Sequence, residues 1–255
     1  MAGTTSIFLE ANYVENVLGL SAWETGVRFL PLTFGMLVAG TVAGMVMNRI
    51  PTRLLLFGSG AFLCAAMLLV LLADQDSSWT ALLPSMIAAG IGMGAFNPPR
   101  ASVAMLVAEP DRAGMASGAS ETFQQIGVAL GIAATGSLFQ NQVAREFSDT
   151  AVGKQLGDAG VDTHALGVTI ANGGAGEASR AIPEPLRQDF LRSADSVFVS
   201  SMHLCFVVLA VVAGIGAVIA LLFIRRRDMR EDVPEVGEAE GDMPKPTVSA
   251  RTRDA

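Results

Sequence analysis

The chain has 255 residues, of which 51% are hydrophobic and 16% are charged, and its mean hydropathy is +0.47. This composition departs from that of soluble globular domains and is typical of a polytopic membrane protein. The formal net charge of −7 argues against a nucleic-acid partner. Both cysteines, Cys64 and Cys205, lie in apolar runs, which indicates buried thiols rather than a disulfide framework.

Residues 1–25 are predicted to contain the end of a truncated helix and an outer loop. The first 20 residues are too polar to cross a membrane, since a span needs about 20 predominantly apolar residues. They also lack the basic start and apolar block of a signal peptide. We therefore expect a helix whose beginning is missing and which is interrupted by four polar residues: Glu10, Asn12, Glu15 and Asn16.

Five apolar runs are each long enough to cross a hydrocarbon core. A backbone in lipid must satisfy its own hydrogen bonds, so each run is predicted to be a helix. The predicted fold is an all-α polytopic membrane protein with five full transmembrane helices and a partial first helix. Four of the spans fill residues 26–139 and the last fills residues 197–224; the runs are 26–47, 54–73, 80–106, 113–139 and 197–224.

Basic residues in the connections predict the orientation, because Lys and Arg are enriched on the cytoplasmic side. They lie between the first and second spans, between the third and fourth, and after the fifth. Residues 140–196 are therefore predicted to be an extracellular loop, mobile in its Gly-rich middle, with a short amphipathic helix that leads into the last span. Residues 225–255 are polar, acidic and contain Pro, so we expect a disordered cytoplasmic tail.

Small residues spaced four apart predict close helix packing in the first, third and fourth spans. The pairs in the last two are Gly90 with Gly94 and Gly127 with Gly131. Pro98 and Pro99 predict the cytoplasmic end of the third span, with a bend beside a cavity as the alternative. Methionines such as Met36 and Met93 are interpreted as apolar packing, although their flexibility would also suit a promiscuous site.

The fourth span is predicted to be amphipathic within the membrane. At about 100° per residue, its polar residues fall on one side, which we expect to face protein or water. Glu121 could exchange a proton there; alternatively, it lies near the headgroups or pairs with Arg100 or Arg112. The candidate substrate or proton pathway consists of Ser117, Glu121, Gln124 and Gln125, whereas the opposite side carries Phe123, Ile126, Leu130 and Ala133.

The order and spacing of several segments carry a family resemblance. The segments are "NVLGLSAWETGVRFLPLTFGMLVAG", "GMVMNRIPTRLLLFG", "AAGIGMGAFNPP" and "AGMASGASETFQQIGVALGIAATG". From about Phe8 to Ile224 the chain resembles the carboxyl-terminal half of the fourteen-span drug:proton antiporter branch of the major facilitator superfamily. The resemblance implies two lobes that rock about a midplane site and export hydrophobic, often cationic compounds while protons move inward.

The resemblance also implies a gating role for the connection between the first two full spans. The family places a glycine, an acid and basic residues there. This chain departs from that pattern, because Asn48 replaces the acid, Pro51 the second glycine and Thr52 a base. The matching positions are Gly44, Asn48, Arg49 and Arg53.

The expected function is that of the carboxyl-terminal lobe of a proton-coupled exporter of drugs or metabolites, incomplete as a transporter alone. Its expected partners are the lipid bilayer, a missing amino-terminal lobe or a second copy, a hydrophobic small molecule, and protons. The expected location is the plasma membrane, with the carboxyl terminus cytoplasmic. The alternative is a non-transporting membrane scaffold or interaction protein. Neither a Gly-rich phosphate loop, metal spacing nor a nucleophile with its base is present, so no enzyme, cofactor or metal is expected.

Overall fold

The structure, a computed structural model, describes residues 2–47, 49–73, 78–106 and 112–223. Throughout these ranges the secondary structure is helical and contains no strand. Two short 3₁₀ helices, Trp79–Leu82 and Ser179–Ala181, precede α5 and α10. The α-helices are α1 Ala2–Asn16, α2 Ala22–Arg28, α3 Leu30–Val46, α4 Thr52–Val70, α5 Leu83–Leu106, α6 Ala113–Asp149, α7 Ala151–Asp158, α8 Thr163–Ala171, α9 Ala175–Ala178 and α10 Glu184–Phe223.

Four described segments are long and apolar enough to cross a membrane: Ala22–Val46, Thr52–Val70, Trp79–Val103 and Glu184–Leu222. They confirm the predicted all-α, multi-pass membrane protein. The remaining predicted span, residues 113–139, lies within α6. That helix has 37 residues, or a length of about 55 Å at 1.5 Å per residue, but its polar side chains make it less apolar than the other four.

Glycines set the packing of α3 against α5. A Cβ atom added at Gly35 would lie 3.4 Å from the carbonyl oxygen of Ile87, and one added at Gly40 would lie 3.4 Å from that of Gly94. Residue numbers rise together in the two helices from one contact to the next, from Gly35 with Ile87 to Gly40 with Gly94, so α3 and α5 run parallel. Their last turns therefore lie at the same end of the bundle, which we call the basic end because it carries Arg49, Arg53 and Arg100.

Residues 140–196, predicted to be an extracellular loop, are mostly helical, and helices also occupy most of the Gly-rich middle that we expected to be mobile. The α6 helix continues to Asp149, and α7 to α9 follow before α10 begins. Side-chain caps explain two of the helix starts: Thr150 accepts a hydrogen bond from the Gly153 amide and Asp162 accepts one from the Ala165 amide, both at 3.0 Å. The predicted helix leading into the last span is confirmed, since α10 runs from Glu184 to Phe223 without a break.

Residues 140–196, hereafter the helical cap, have an apolar interior that is continuous with the rest of the bundle. Phe147 and Phe190 are fully buried there and meet edge to face, with ring centroids 5.5 Å apart. Nearer the spans, Phe139 and Phe198 form a second edge-to-face pair at 4.9 Å. Such pairs add to the stabilisation from burial, so the helical cap is a packed layer. Its location outside the cell remains a prediction.

Two helix boundaries differ from the prediction. The α2 helix begins at Ala22, inside the expected outer loop of residues 1–25, because Ser21 and Glu24 form a capping box. The α5 helix continues through Pro98 and Pro99 to Leu106, so the expectation that it ends at these prolines is wrong. Its continuation places Arg100 on the helix surface, facing α6. The predicted tail, residues 225–255, lies outside the described residues.

Candidate substrate and proton pathway

An ion pair joins α5 to α6 near the basic end. Arg100 Nη2 lies 3.3 Å from Glu121 Oε2, and Arg100 Nη1 lies 3.4 Å from the hydroxyl oxygen of Ser120. The amide of Gln125, one turn further along α6, donates a hydrogen bond of 3.2 Å to Glu121 Oε1. Of the two arginines that the sequence offered to Glu121, the structure therefore brings Arg100 to it.

The two members of this pair differ in their surroundings. The Glu121 side chain is 52% exposed, whereas that of Arg100 is 23% exposed. The Arg100 Nε atom is buried and has no hydrogen-bond partner among the described residues. Glu121 is thus a solvated, paired carboxylate at an open surface, and Arg100 is the member that reaches into the bundle.

Gln124 lines a cavity of about 260 Å³ that α1, α3, α4, α5 and α6 share. Asn97 of α5 supplies a second amide, and it donates a hydrogen bond of 3.1 Å to the Met93 carbonyl. The remaining wall is largely apolar and includes Met36, Met93 and Phe96. A few polar groups in a mostly apolar wall are the usual composition of a small-molecule site, and the methionines can adapt to ligands of different shape.

A larger cavity, of about 700 Å³, lies between α4, α5, α6 and α10 at the basic end. Arg100 and Ser120 are its polar lining residues, and the others are apolar or glycine, including Leu56, Leu63 and Phe96. Phe96 and Leu63 line both cavities, so the two spaces lie on either side of these side chains. The ion pair between Arg100 and Glu121 therefore lies beside the larger of two neighbouring cavities.

The two sides of α6 differ as its sequence pattern predicts. Phe123 is 75% exposed and Leu130 is 63% exposed on the apolar side. On the other side Gly131 is buried and Gly127 is partly buried. Ser117, Glu121 and Gln125 are exposed, and of the four candidate residues Gln124 alone is among those that line the two cavities.

The connection between α3 and α4 carries the predicted gating residues. No described atom lies within 4 Å of a Cβ atom added at Gly44, so this glycine is not a packing contact there. The side chains of Arg49 and Arg53 are exposed at the basic end. Asn48 lies outside the described residues, and the gating role remains a prediction.

The predicted packing glycines Gly90 and Gly94 lie in the parallel α3–α5 interface. A Cβ atom at Gly90 would overlap the carbonyl oxygen of Leu32, and one at Gly94 would overlap that of Met36. These two positions therefore admit no side chain without a shift of backbone. Their contacts set how α3 and α5 align along their lengths, and therefore where Met36, Met93 and Asn97 lie around the smaller cavity.

Sequence reasoning missed Asn97 and Glu10. The sequence assigns Asn97 only to the segment around Pro98 and Pro99, although a side-chain amide beside a cavity is a common ligand group. Glu10 was read only as an interruption of hydropathy, yet it is 1% exposed in the structure. It lies four residues after Ser6 and three before Tyr13, which places the three on one helix face, and this spacing is the available signal.

Neither a metal nor a catalytic site is evident in the described ranges. No group of three or more His, Cys, Asp or Glu side chains there is placed to hold a metal ion. The remaining candidates are the polar side of α6, the two cavities and the connection at the basic end, which together suit passage of a small molecule better than bond chemistry.

The model of the Major Facilitator Superfamily matches residues 1–132, just over half of the chain. The chain belongs to the Major Facilitator Superfamily. This membership agrees with the resemblance inferred from the sequence and with the helical, multi-pass architecture. It indicates transport rather than catalysis.

Several proteins named for resistance, export or efflux are similar to this major facilitator chain. The tetracenomycin C resistance and export protein of Streptomyces glaucescens is 31% identical over 238 residues, which cover 90% of this chain and 42% of that protein. The puromycin resistance protein pur8 of Streptomyces alboniger is 31% identical over 141 residues, covering 54% and 28%. The multidrug efflux pump LfrA of Mycolicibacterium smegmatis is 24% identical over 220 residues, covering 86% and 42%. The chain thus spans less than half the length of each of these relatives.

Proposed function

We propose that this chain is the carboxyl-terminal lobe of a proton-coupled exporter of hydrophobic or cationic drugs or metabolites in the plasma membrane. It works against an amino-terminal lobe or a second copy, which supplies the other wall of a central site. Relatives named for resistance to tetracenomycin C, puromycin and several drugs support export as the activity. The carboxyl terminus and the basic end face the cytoplasm, as the positions of the arginines favour.

The observation that carries the proposal is the open polar side of α6. Glu121 and Gln125 are exposed, and Gln124 lines the 260 Å³ cavity beside Asn97. Polar groups within a membrane lobe are costly when they face lipid. A second lobe over this side would shield them and would convert the shallow cavity into an enclosed one.

The chemistry of these residues suits cations with apolar bodies. The partly exposed carboxylate of Glu121 can attract a cation, and Arg100 competes for it through the 3.3 Å ion pair. Met36, Met93 and Phe96 offer polarizable and aromatic surface close by. A cationic substrate that binds Glu121 would release Arg100 from the pair, so that binding at α6 alters the α5–α6 interface.

Export is tested in an efflux-deficient bacterial host with ethidium as the cationic probe. The chain is expressed alone and together with the part of the tetracenomycin C resistance and export protein that it does not match. We expect energy-dependent ethidium efflux with the second lobe and none from the chain alone, because one lobe provides one wall.

A matched pair of variants assigns the site. Gln124→Leu should reduce efflux at least about 10-fold, since it removes one of the few polar groups in the cavity, while Gln155→Leu, at an exposed position of α7, should leave efflux unchanged. Membrane insertion without efflux in any combination, including crosslinked homodimers, would instead favour a non-transporting scaffold. Equal losses in both variants would exclude Gln124 from the site.

A further inference from the structure

One face of α1 is buried against the rest of the lobe. Leu9, Tyr13 and Val14 are at most 2% exposed, and Glu10 lies among them at 1%. Phe8, on the other side of the same helix, is 49% exposed. The carboxyl group of Glu10 is therefore held inside the bundle, where α1 packs against α4, α6 and α10.

The buried carboxyl group of Glu10 lacks a hydrogen-bond partner at one of its two oxygens. Its Oε2 atom is buried without a hydrogen-bond partner, and no Lys, Arg or His of the described ranges forms an ion pair with it. Burial of an unpaired carboxylate is strongly unfavourable, so the group keeps its proton instead. Glu121, half exposed and paired with Arg100, is in the opposite situation.

The charged groups on neighbouring helices are engaged elsewhere or exposed. On α6, Glu146 accepts hydrogen bonds from Gln142 at 2.8 Å and Ser201 at 3.5 Å. On α10, the Nε2 atom of His203 lies 2.8 Å from the Ala73 carbonyl oxygen, and Asp195 is partly buried. None of them bonds to Glu10 within the described residues. Arg28 donates a hydrogen bond to the backbone carbonyl of Glu24, and Arg187 forms an ion pair with Glu184. The other charged side chains on α2, α4 and the outer parts of α6 and α10 are exposed: Glu24, Arg53, Arg145, Asp149, Asp189 and Arg192.

We propose that Glu10 is a proton-binding site of this lobe. Its carboxylic acid is neutral while α1 is packed against α6 and α10. When those helices separate and water enters, the acid gives its proton to water and the carboxylate becomes solvated. Repacking of α1 requires that a proton return first, so the packing of α1 and the protonation of Glu10 are linked.

This site deepens the proposed export function, and only its use in transport rests on that function. Glu121 would hold the cationic substrate at the α5–α6 interface, and Glu10 would hold the proton behind α1. The smaller cavity reaches the first turn of α1, because Ala2, Gly3 and Thr4 line it together with Gln124 of α6. A substrate that displaces α1 would therefore open the path by which water reaches Glu10.

The test is infrared spectroscopy of the full chain in lipid vesicles, with Glu10→Gln and Glu15→Gln compared. Glu15 lies on the same helix but is exposed, so it is the matched control. We expect the wild type to show the C=O stretch of a protonated glutamic acid at neutral pH. Glu10→Gln should lose this band and Glu15→Gln should keep it.

Labelling all glutamate side chains with ¹³C in the wild type provides a second measurement that requires no variant to fold. The band should shift with the label and should disappear only at alkaline pH. A wild type without a protonated carboxyl band at neutral pH, or a Glu10→Gln variant that is folded and retains it, would overturn the proposal. Ethidium efflux is measured separately, so that loss of export with the band intact would count against the proposed function alone.

Discussion

The α5 helix has two kinds of neighbour. Towards α3 and α4 it presents glycines, and Gly92 approaches α4 so closely that an added Cβ atom would lie 2.9 Å from the carbonyl oxygen of Ser59. Towards α6 it presents the long side chain of Arg100, which spans the gap to Ser120 and Glu121. One side is backbone against backbone, and the other is joined by polar side chains beside two cavities.

This difference means that one helix can be tightly packed on one side and free to rearrange on the other. Close-packed backbones have few alternative arrangements, since any shift creates an overlap or a void. A long ion pair next to open space can be broken and re-formed with little repacking. The first turns of α6 also lack close packing, because no described atom of a neighbouring element lies within 4 Å of a Cβ atom added at Gly114 or Gly118.

The largest expected effect is at the glycine contact of α5 with α3. Gly94→Leu should lower the free energy of unfolding by about 3 kcal/mol, because its Cβ atom overlaps the Met36 carbonyl oxygen and backbone must move. Gly118→Leu, in open space on α6, should leave stability unchanged or raise it through helix propensity. Denaturation in mixed micelles measures both, and equal losses would remove the distinction between the two sides of α5.

The membrane-spanning helices could be predicted from the sequence because lipid imposes a simple rule. Long apolar runs must be helical to satisfy their backbone, and four of the five predicted spans correspond to segments long and apolar enough to cross a membrane. The helical cap was missed because its helices are short and contain glycines. Their starting signals, Thr150 and Asp162, are ordinary capping residues that composition alone does not reveal.

The sequence predicts which side of α6 carries Gln124 but not the contacts of the candidate residues. Helical periodicity separates Gln124 from Phe123 and Leu130, and the structure shows the same division. The choice of Arg100 over Arg112 as the partner of Glu121 required knowing that α5 continues past Pro98 and Pro99. A side-chain pair between α5 and α6 depends on where each helix begins and ends, and the residues around Arg100 and Glu121 do not determine this by themselves.

An intermediate effect is expected where α6 itself becomes buried. Gly131→Leu should lower the free energy of unfolding by about 1–2 kcal/mol, since a large side chain must be accommodated at a buried position. Gly114→Leu, at an exposed position near the start of the same helix, is the control and should be neutral. Chemical denaturation of both variants in the same micelles gives the comparison. If the two variants are equally stable, α6 is loosely packed along its whole length and the contrast with α3 becomes sharper.

The smallest effect is expected for the ion pair between α5 and α6. Glu121→Gln should change the free energy of unfolding by less than about 0.5 kcal/mol, because the carboxylate is half exposed and an amide oxygen can still accept from Arg100. Arg100→Met keeps an apolar stem in the larger cavity, so it too should fold. A double-mutant cycle of these two variants should give a coupling free energy of about 0.2–1 kcal/mol.

This coupling should weaken as salt is added, since an exposed pair is screened at short range. A coupling above about 2 kcal/mol that does not respond to salt would mean that Arg100 and Glu121 are dry in the membrane. The α6 side of α5 would then be as fixed as its α3 side, and a cation could not displace Arg100 at a modest free-energy cost. The weak, salt-sensitive outcome is the one that leaves the α5–α6 interface free to respond to a bound substrate.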